Sequence, residues 1–274
     1  VTRTLRVTTR NASFQQWEAL LHNRNKRQRL GEFLVHGVRP IDQAIAHGWG
    51  VRSLLHGGAA RSEWARGLLR SQVAAQVVHL APDLLQELSE KEEAPPELIA
   101  VVEIPDDSLH RIPLTPTGLV VVLDRTSSPG NLGSVIRSAD ALGADGVVVT
   151  GRAADVYDPK TVRASRGSLF AVPTVRVNAP ETVDDWLRDS HPDPSRLTVV
   201  GTDESGTADL WAHDFRGPTA LVVGNETHGM SAFWAARCDA TVRIPMTGSA
   251  SSLNASAAAS ITLYEALRQR TSSS

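Results

Sequence analysis

The chain of 274 residues has one cysteine, Cys238, so it can form no disulfide within itself and holds no cysteine cluster for zinc. Such usage fits a reducing, cytoplasmic setting. The nine histidines are scattered without metal-ligand spacing, so no metal is expected, and no Ser-His-Asp nucleophile elbow is present. Long hydrophobic runs are missing too. Gly118–Leu123 and Ala220–Gly224 are strand-length and too short to span a bilayer, so no membrane is expected. The start, Val1 to Arg10, mixes polar and basic residues without the apolar core of a secretory signal. No internal repeat is visible.

What is there is an ordinary globular composition, 41% apolar and 21% charged, which leaves only the tail Thr271–Ser274 expected to lack order. The net charge of −2 hides an asymmetry. Residues 1–40 carry eight basic side chains against two acidic ones, a surplus of +6, so the remainder carries −8. Such polarity suits a polyanion at one end, although a solvated basic helix explains the same charges.

Two regions differ in pattern. The first hundred residues alternate helical spacing (Gln15–Asn23, Pro40–His47) with strand-like runs (Phe33–Val35, Val51–Leu55, Val77–Leu80, Leu98–Val102), which predicts a small α/β unit. Pro95, Pro96, Pro105, Pro113 and Pro116 then punctuate the chain, and residues 105–117 read as a linker. The expected division is 1–112 and 113–274. Beyond it, strands and helices alternate regularly, which implies an α/β fold with a mostly parallel sheet covered on both faces. Ligands in such folds sit beyond the C-terminal ends of strands. The loops after Leu123, Thr202, Gly224 and Ile244 are therefore the ones to inspect.

Three segments stand out. In the first, Asp124 to Arg137, the helix opening at Asn131 has its apolar stripe at Leu132, Val135, Ile136, Ala139 and Leu142. Arg137 points roughly 160° away from the centre of that stripe, so it is not core; alone it reads as a solvated arginine. The second, Gly224-Asn225-Glu226-Thr227-His228-Gly229-Met230-Ser231, directly follows a strand, with two glycines that permit close backbone approach and Glu226 at the strand's mouth. A plain turn would also use them. The third runs from Ile244 to Ser256: a strand ends at proline, a small-residue loop carrying Met246 follows, and Ser252, Leu253 and Asn254 open a long helix. One Ser or Asn is a cap, but capping leaves the other hydroxyl and amide groups unexplained.

Taken together and in this order, the three segments resemble the signature motifs of the TrmH family within the SPOUT superfamily, over about residues 118–268. Arg163-Ala164-Ser165-Arg166-Gly167 resembles a further stretch of that family, particularly its rRNA enzymes of avilamycin-, thiostrepton- or nosiheptide-resistance type. Residues 24–48 resemble its small N-terminal L30-like RNA-binding domain. The resemblance implies a deep trefoil knot in the C-terminal domain, S-adenosyl-L-methionine as cofactor, and transfer of its methyl group to a ribose 2′-hydroxyl of RNA, with 23S rRNA favoured and antibiotic resistance as a role. It implies cofactor contacts from Gly224, Ile244 and Leu253, with Met246 and Thr202 as additions. Asn131, Arg137, Glu226, Ser252 and Asn254 would form the catalytic group. Arg166 would hold RNA or help activate it, Lys26, Arg27, Arg29 and Arg39 would join in binding RNA, and a homodimer would let Arg137 serve the neighbour's cofactor. Two positions depart from the family pattern: His36 in place of an acidic residue, and Ala255 in place of valine.

A ribose hydroxyl is a poor nucleophile, so methyl transfer needs in-line positioning, removal of the proton and a protected sulfonium. A guanidinium is an awkward base, which favours Arg137 as a phosphate ligand that stabilises oxyanion character, with phosphate or water taking the proton. The alternatives are a tRNA ribose methyltransferase and a non-catalytic RNA-binding protein, the latter leaving the second and third segments unemployed. A dehydrogenase or class I methyltransferase is disfavoured because the glycine signatures of both are missing.

Overall fold

The computed structural model describes residues 3–58, 60–89 and 96–272. Val1, Thr2 and Pro95 lie outside them. Of the tail expected to lack order, Thr271 ends the last helix and Ser272 follows it, while Ser273 and Ser274 lie outside the described residues.

In chain order the elements are β1 (Arg3–Val7), α1 (Ala12–His22), α2 (Arg24–Leu30), β2 (Glu32–His36), α3 (Val38–Ala46), β3 (Val51–His56), α4 (Glu63–Arg70), β4 (Ala74–Leu80), α5 (Pro82–Ser89) and β5 (Ile99–Glu103). They continue with β6 (Leu119–Asp124), α6 (Pro129–Ala141), β7 (Gly146–Thr150), α7 (Pro159–Ser165), α8 (Ser168–Ala171), β8 (Thr174–Val177) and α9 (Pro180–Ser190). The last are β9 (Thr198–Thr202), β10 (Ala208–Asp209), β11 (Thr219–Val223), α10 (Ala232–Arg237), β12 (Ala240–Arg243) and α11 (Ala255–Thr271).

Contacts divide the chain into two units: residues up to Pro105 together with Tyr157–Ala171, and Asp106–Val156 together with Val172 onward. Tyr157–Ala171 thus groups by its contacts with the first unit although it follows the proline-rich stretch 105–117 in sequence.

The first unit holds a five-stranded sheet in the order β1-β4-β3-β5-β2, parallel through β1, β4 and β3 and antiparallel through β3, β5 and β2. Asn11 starts α1 by accepting from the Phe14 N–H, and Phe14, Trp17, Leu20 and Leu21 form its buried face. Several elements here were not expected. The alternating start is the edge strand β1, which needs to bury only Val7 and part of Leu5. The basic run is α2, started by Asn23 and stopped by Gly31 in the left-handed conformation. Helix α5 packs Leu84, Leu85 and Leu88 into the same core.

The second unit is built on a seven-stranded, all-parallel sheet in the order β10-β12-β9-β11-β6-β7-β8. Its interior strand β6, Leu-Val-Val-Val-Leu-Asp, is buried throughout, as a parallel strand covered on both faces must be. Leu123 pairs with Val223, Val223 with Thr202, and Thr202 with Val242. Four neighbouring strands therefore end on one line, and the four loops singled out from the sequence leave the sheet side by side.

Candidate active site

The loops after Thr202, Gly224 and Ile244 surround a cavity of about 420 Å³ in the second unit, lined by Thr202, Gly224, Glu226, Ile244, Met246, Ser252 and Leu253, with Asp203, Glu204 and Asn225 among the other residues of its wall. Asn131 and Asn254 are joined to this group by hydrogen bonds; Arg137 is not part of it. The loop after β11 closes on itself: Asn225 and Gly229 exchange main-chain bonds of 2.9 and 3.0 Å, and a side chain at Gly224 would overlap the main chain of Gly229 and Met230. Glycine at 224 is thus a steric necessity.

Glu226 draws the first segment onto the second. Its carboxylate accepts from the Ser127 N–H at 3.1 Å, the Ser127 hydroxyl at 3.0 Å, Asn131 Nδ2 at 3.0 Å and, more weakly, the Ser128 N–H and Asn225 Nδ2 at 3.4 Å. Burial works to raise its pKa. The bonds from the Asn131 side chain and from Ser127 outweigh that and hold it below the ordinary glutamate range.

The third segment sets the direction of these bonds. Helix α11 begins at Ala255, not at Ser252 as expected, because Asn254 is its N-cap: Asn254 Oδ1 accepts from the Ser256 N–H at 2.9 Å and the Ser256 hydroxyl at 2.7 Å. With its oxygen committed to the cap, Asn254 turns Nδ2 towards Asn131 Oδ1, 3.1 Å away. Asn131 must then present Nδ2 to Glu226, which must accept. A helix cap thereby orients one amide, that amide orients a second, and the second requires a carboxylate. Ser252 and Leu253 stay in the loop that lines the cavity, and Ala255 is the first residue of the helix.

Asp124 and Arg125 brace the second segment from below; neither was singled out as a site residue. Buried Asp124 accepts from the Ser231 N–H at 2.6 Å. Arg125, at a φ of 58°, donates to the Gly229 carbonyl at 3.1 Å, and its own carbonyl accepts from Asn225 Nδ2 at 2.8 Å. The signal that would have found them is a charged pair at the end of an otherwise apolar buried strand.

Arg137 is exposed on α6, as its position off the apolar stripe predicted, and no hydrogen bond or ion pair engages its side chain among the described residues. In the first unit, Arg166 is exposed and closes α7 in the left-handed conformation, with Arg163 exposed one turn earlier on the same helix. Arg29 and Arg39 are exposed and Lys26 is half-buried. Arg27 requires a correction. Its side chain is only 3% exposed, it donates to the Leu20 and Leu21 carbonyls at 2.6 and 3.1 Å, and it lies 3.7 Å from Asp158. Buried against the open carbonyls of α1, it is a structural arginine and not a phosphate ligand. His36 bonds the Leu88 carbonyl at 2.9 Å, tying β2 to α5.

Cys238 lies half-buried beside Met230, and burial, aided by Asp239, pushes its thiol up to about 12. Among the described residues no group of three His, Cys, Asp or Glu could hold a metal, and no helix is long and apolar enough to cross a membrane.

Against known proteins, residues 118–264 match the SpoU rRNA Methylase family and residues 11–100 the SpoU L30e-like domain. The chain is 59% identical over 268 residues to the 23S rRNA (uridine(2479)-2′-O)-methyltransferase of Streptomyces viridochromogenes, covering 97% of this chain and 93% of that one. It is 30% identical to the 23S rRNA (guanosine(2553)-2′-O)-methyltransferase RlmP of Bacillus subtilis, covering 94% and 96%. Among solved structures, the SpoU methyltransferase AviRb from Streptomyces viridochromogenes in complex with the cofactor AdoMet superimposes with a TM-score of 0.91 at 59% identity, covering 96% of this chain and 99% of that one.

Proposed function

The chain belongs to the SpoU rRNA Methylase family, and from that footing we infer that it transfers a methyl group from S-adenosylmethionine to a ribose 2′-hydroxyl of RNA. The observation that carries this reading is the joining of three loops distant in sequence by Asn254, Asn131 and Glu226 beside one cavity. We propose 23S rRNA as the substrate, because the relatives at 59% and 30% identity over nearly the whole chain are 23S rRNA 2′-O-methyltransferases. The proposed acceptor is the ribose equivalent to uridine 2479, the nucleotide named for the more similar of the two. Resistance to a ribosome-targeting antibiotic is the proposed role. The tRNA alternative is weaker: a solved relative described as modifying C/U34 of tRNA covers only 58% of this chain.

The residues present fit S-adenosylmethionine. The cavity has the volume of a small-ligand site, and Gly224, which has only main chain to offer, lines it together with the apolar residues Ile244, Met246 and Leu253. Its acidic residues Asp203, Glu204 and Glu226 favour a cation. When bound, the cofactor supplies an electrophilic methyl on a sulfonium centre. Asn131 and Ser252 position the acceptor, while Asn254 and Glu226 hold Asn131 in one orientation. Arg137 binds the phosphate beside the target sugar and stabilises the developing oxyanion, and that phosphate or a water takes the proton.

Arg137 stands outside the cavity's lining, which supports a homodimer in which it serves the neighbouring chain's site. Helix α11 supports the same assembly, with Ile261 40% and Tyr264 59% exposed one turn apart. A deep trefoil knot and a cytoplasmic location complete the reading. The knot draws support from β12, late in the chain, lying between β10 and β9. Mapping ribose methylation on rRNA and tRNA from cells with and without the protein tests the substrate. A gain confined to 23S rRNA is expected, and a gain confined to tRNA would overturn the assignment.

A further inference from the structure

Arg166 lies between β7 and β8 in sequence, two strands of the second unit, yet it folds with the first. The whole segment Tyr157–Ala171 does so, and two sets of contacts account for it. At its start, Asp158 caps α7 by accepting from the Lys160 N–H at 2.9 Å and faces Arg27, whose side chain spans from the final carbonyls of α1 to this cap. At its end, Trp49 donates its indole N–H to the Phe170 carbonyl at 3.1 Å and packs edge-on against the Phe170 ring at 5.0 Å. Phe33 of β2 fills the space between, with centroids 4.8 Å from Tyr157 and 6.2 Å from Phe170.

Gly167 completes the attachment. Its φ is +101°, and a side chain there would press on Gln43 of α3 at 3.0 Å and reach Arg39 at 3.7 Å. Helix α3 thus lies directly against the residue after Arg166, and exposed Arg39 and exposed Arg166 flank one contact. Two guanidinium groups without an ion pair or hydrogen bond among the described residues, held this way on a shared frame, suit successive phosphates of one RNA strand.

We propose that Tyr157–Ala171 is a strap held by the RNA-binding unit, and that Trp49, Arg27 and Asp158 are positioning residues that set Arg166 beside Arg39 for RNA. The proposal rests on the reading that Arg166 holds RNA. Recognition of substrate then acts on Arg166 through the sheet of the first unit, independently of cofactor binding in the second.

The test uses the full chain carrying Trp49→Phe, which removes the indole bond but keeps a ring, together with Asp158→Ser, which keeps a helix cap but removes the charge facing Arg27. Methyl transfer from labelled S-adenosylmethionine to a 23S rRNA transcript is measured alongside cofactor affinity and hydrogen exchange over residues 159–171. We expect faster exchange in the strap, a kcat/KM for RNA reduced about tenfold, and cofactor affinity within about twofold of the parent. In an Arg166→Ala background the same pair of changes should cost nothing further. Equal losses in both backgrounds, or no loss despite faster exchange, would overturn the proposal. Full activity of Arg166→Ala alone would instead remove the premise that Arg166 holds RNA, and the proposal with it.

Discussion

Replacing Glu226 by glutamine tests the directed chain of amides most severely, because the substitution preserves shape and changes only which atoms accept. Glu226 receives three close donors, from Asn131 Nδ2, the Ser127 hydroxyl and the Ser127 N–H. A glutamine can aim its NH2 at Ser127, where the hydroxyl can turn to accept but the N–H cannot. It can instead aim the NH2 at Asn131, which can adapt only by flipping its own amide. A flipped Asn131 would face the Nδ2 of Asn254, and Asn254 cannot follow without releasing the Ser256 N–H that caps α11. Every arrangement leaves one donor facing another or one orphaned, at a cost of about 1–3 kcal/mol. For a unit of this size, about 2 kcal/mol lowers the Tm of the second unit by roughly 4–8 °C. If the cost falls instead on forming the cofactor site, about 2 kcal/mol is a loss of roughly thirtyfold in affinity. Scanning calorimetry and cofactor titration separate the two outcomes. Because the folded carboxylate is held below its usual value of 4.5, its contribution is present above that pH and is lost as the pH falls through the lower folded value. The wild type and Glu226→Gln should therefore converge in stability in acid below 4.5. Removing Asn131 should abolish part of the penalty, so the two substitutions should be non-additive. Wild-type Tm and cofactor affinity in Glu226→Gln would refute the reasoning.

Arg137→Ala should cut methyl transfer by about two to three orders of magnitude while leaving the affinity for S-adenosylmethionine near normal, since no cavity-lining group depends on it; equal turnover would end its assigned role. Arg29→Ala should lower the salt slope of RNA binding by about one, whereas Arg27→Ala should leave the slope alone and cost about 3 kcal/mol of stability by opening a buried charged contact. The reverse outcome in a salt titration and melting pair would restore Arg27 as a phosphate ligand. Cys238, pushed up to about 12, should have only about one molecule in ten thousand as thiolate at pH 8, so iodoacetamide should label it only after unfolding. Rapid labelling of the native chain would contradict that burial.

The sequence alone determined a good deal about this protein. Periodicity and glycine placement located every strand of the second unit's sheet but the two-residue β10, because buried parallel strands read as unbroken apolar runs such as Leu119–Leu123 and helices such as α6 repeat their apolar positions every three to four residues. The position of Arg137 off the buried stripe also followed from helical geometry. Weakly amphipathic elements were harder to read: β1 needs few buried side chains at a sheet edge, and α2 is almost wholly polar.

Only the tertiary structure decided which of these residues work together. Basic residues look alike in a sequence, yet Arg27 is spent on the carbonyls of α1 while Arg29, two positions on, faces solvent. Asn254 reads as one of several possible caps, and it becomes the origin of a polarity that reaches Glu226 only because α6 and α11 bring Asn131 within 3.1 Å. The physical reason is common to both cases. Composition and spacing constrain what a residue can do locally, whereas its hydrogen-bond partners and burial depend on how segments pack, whether they are near in sequence, as for Arg27 and the end of α1, or far apart, as for Asn254 and Asn131.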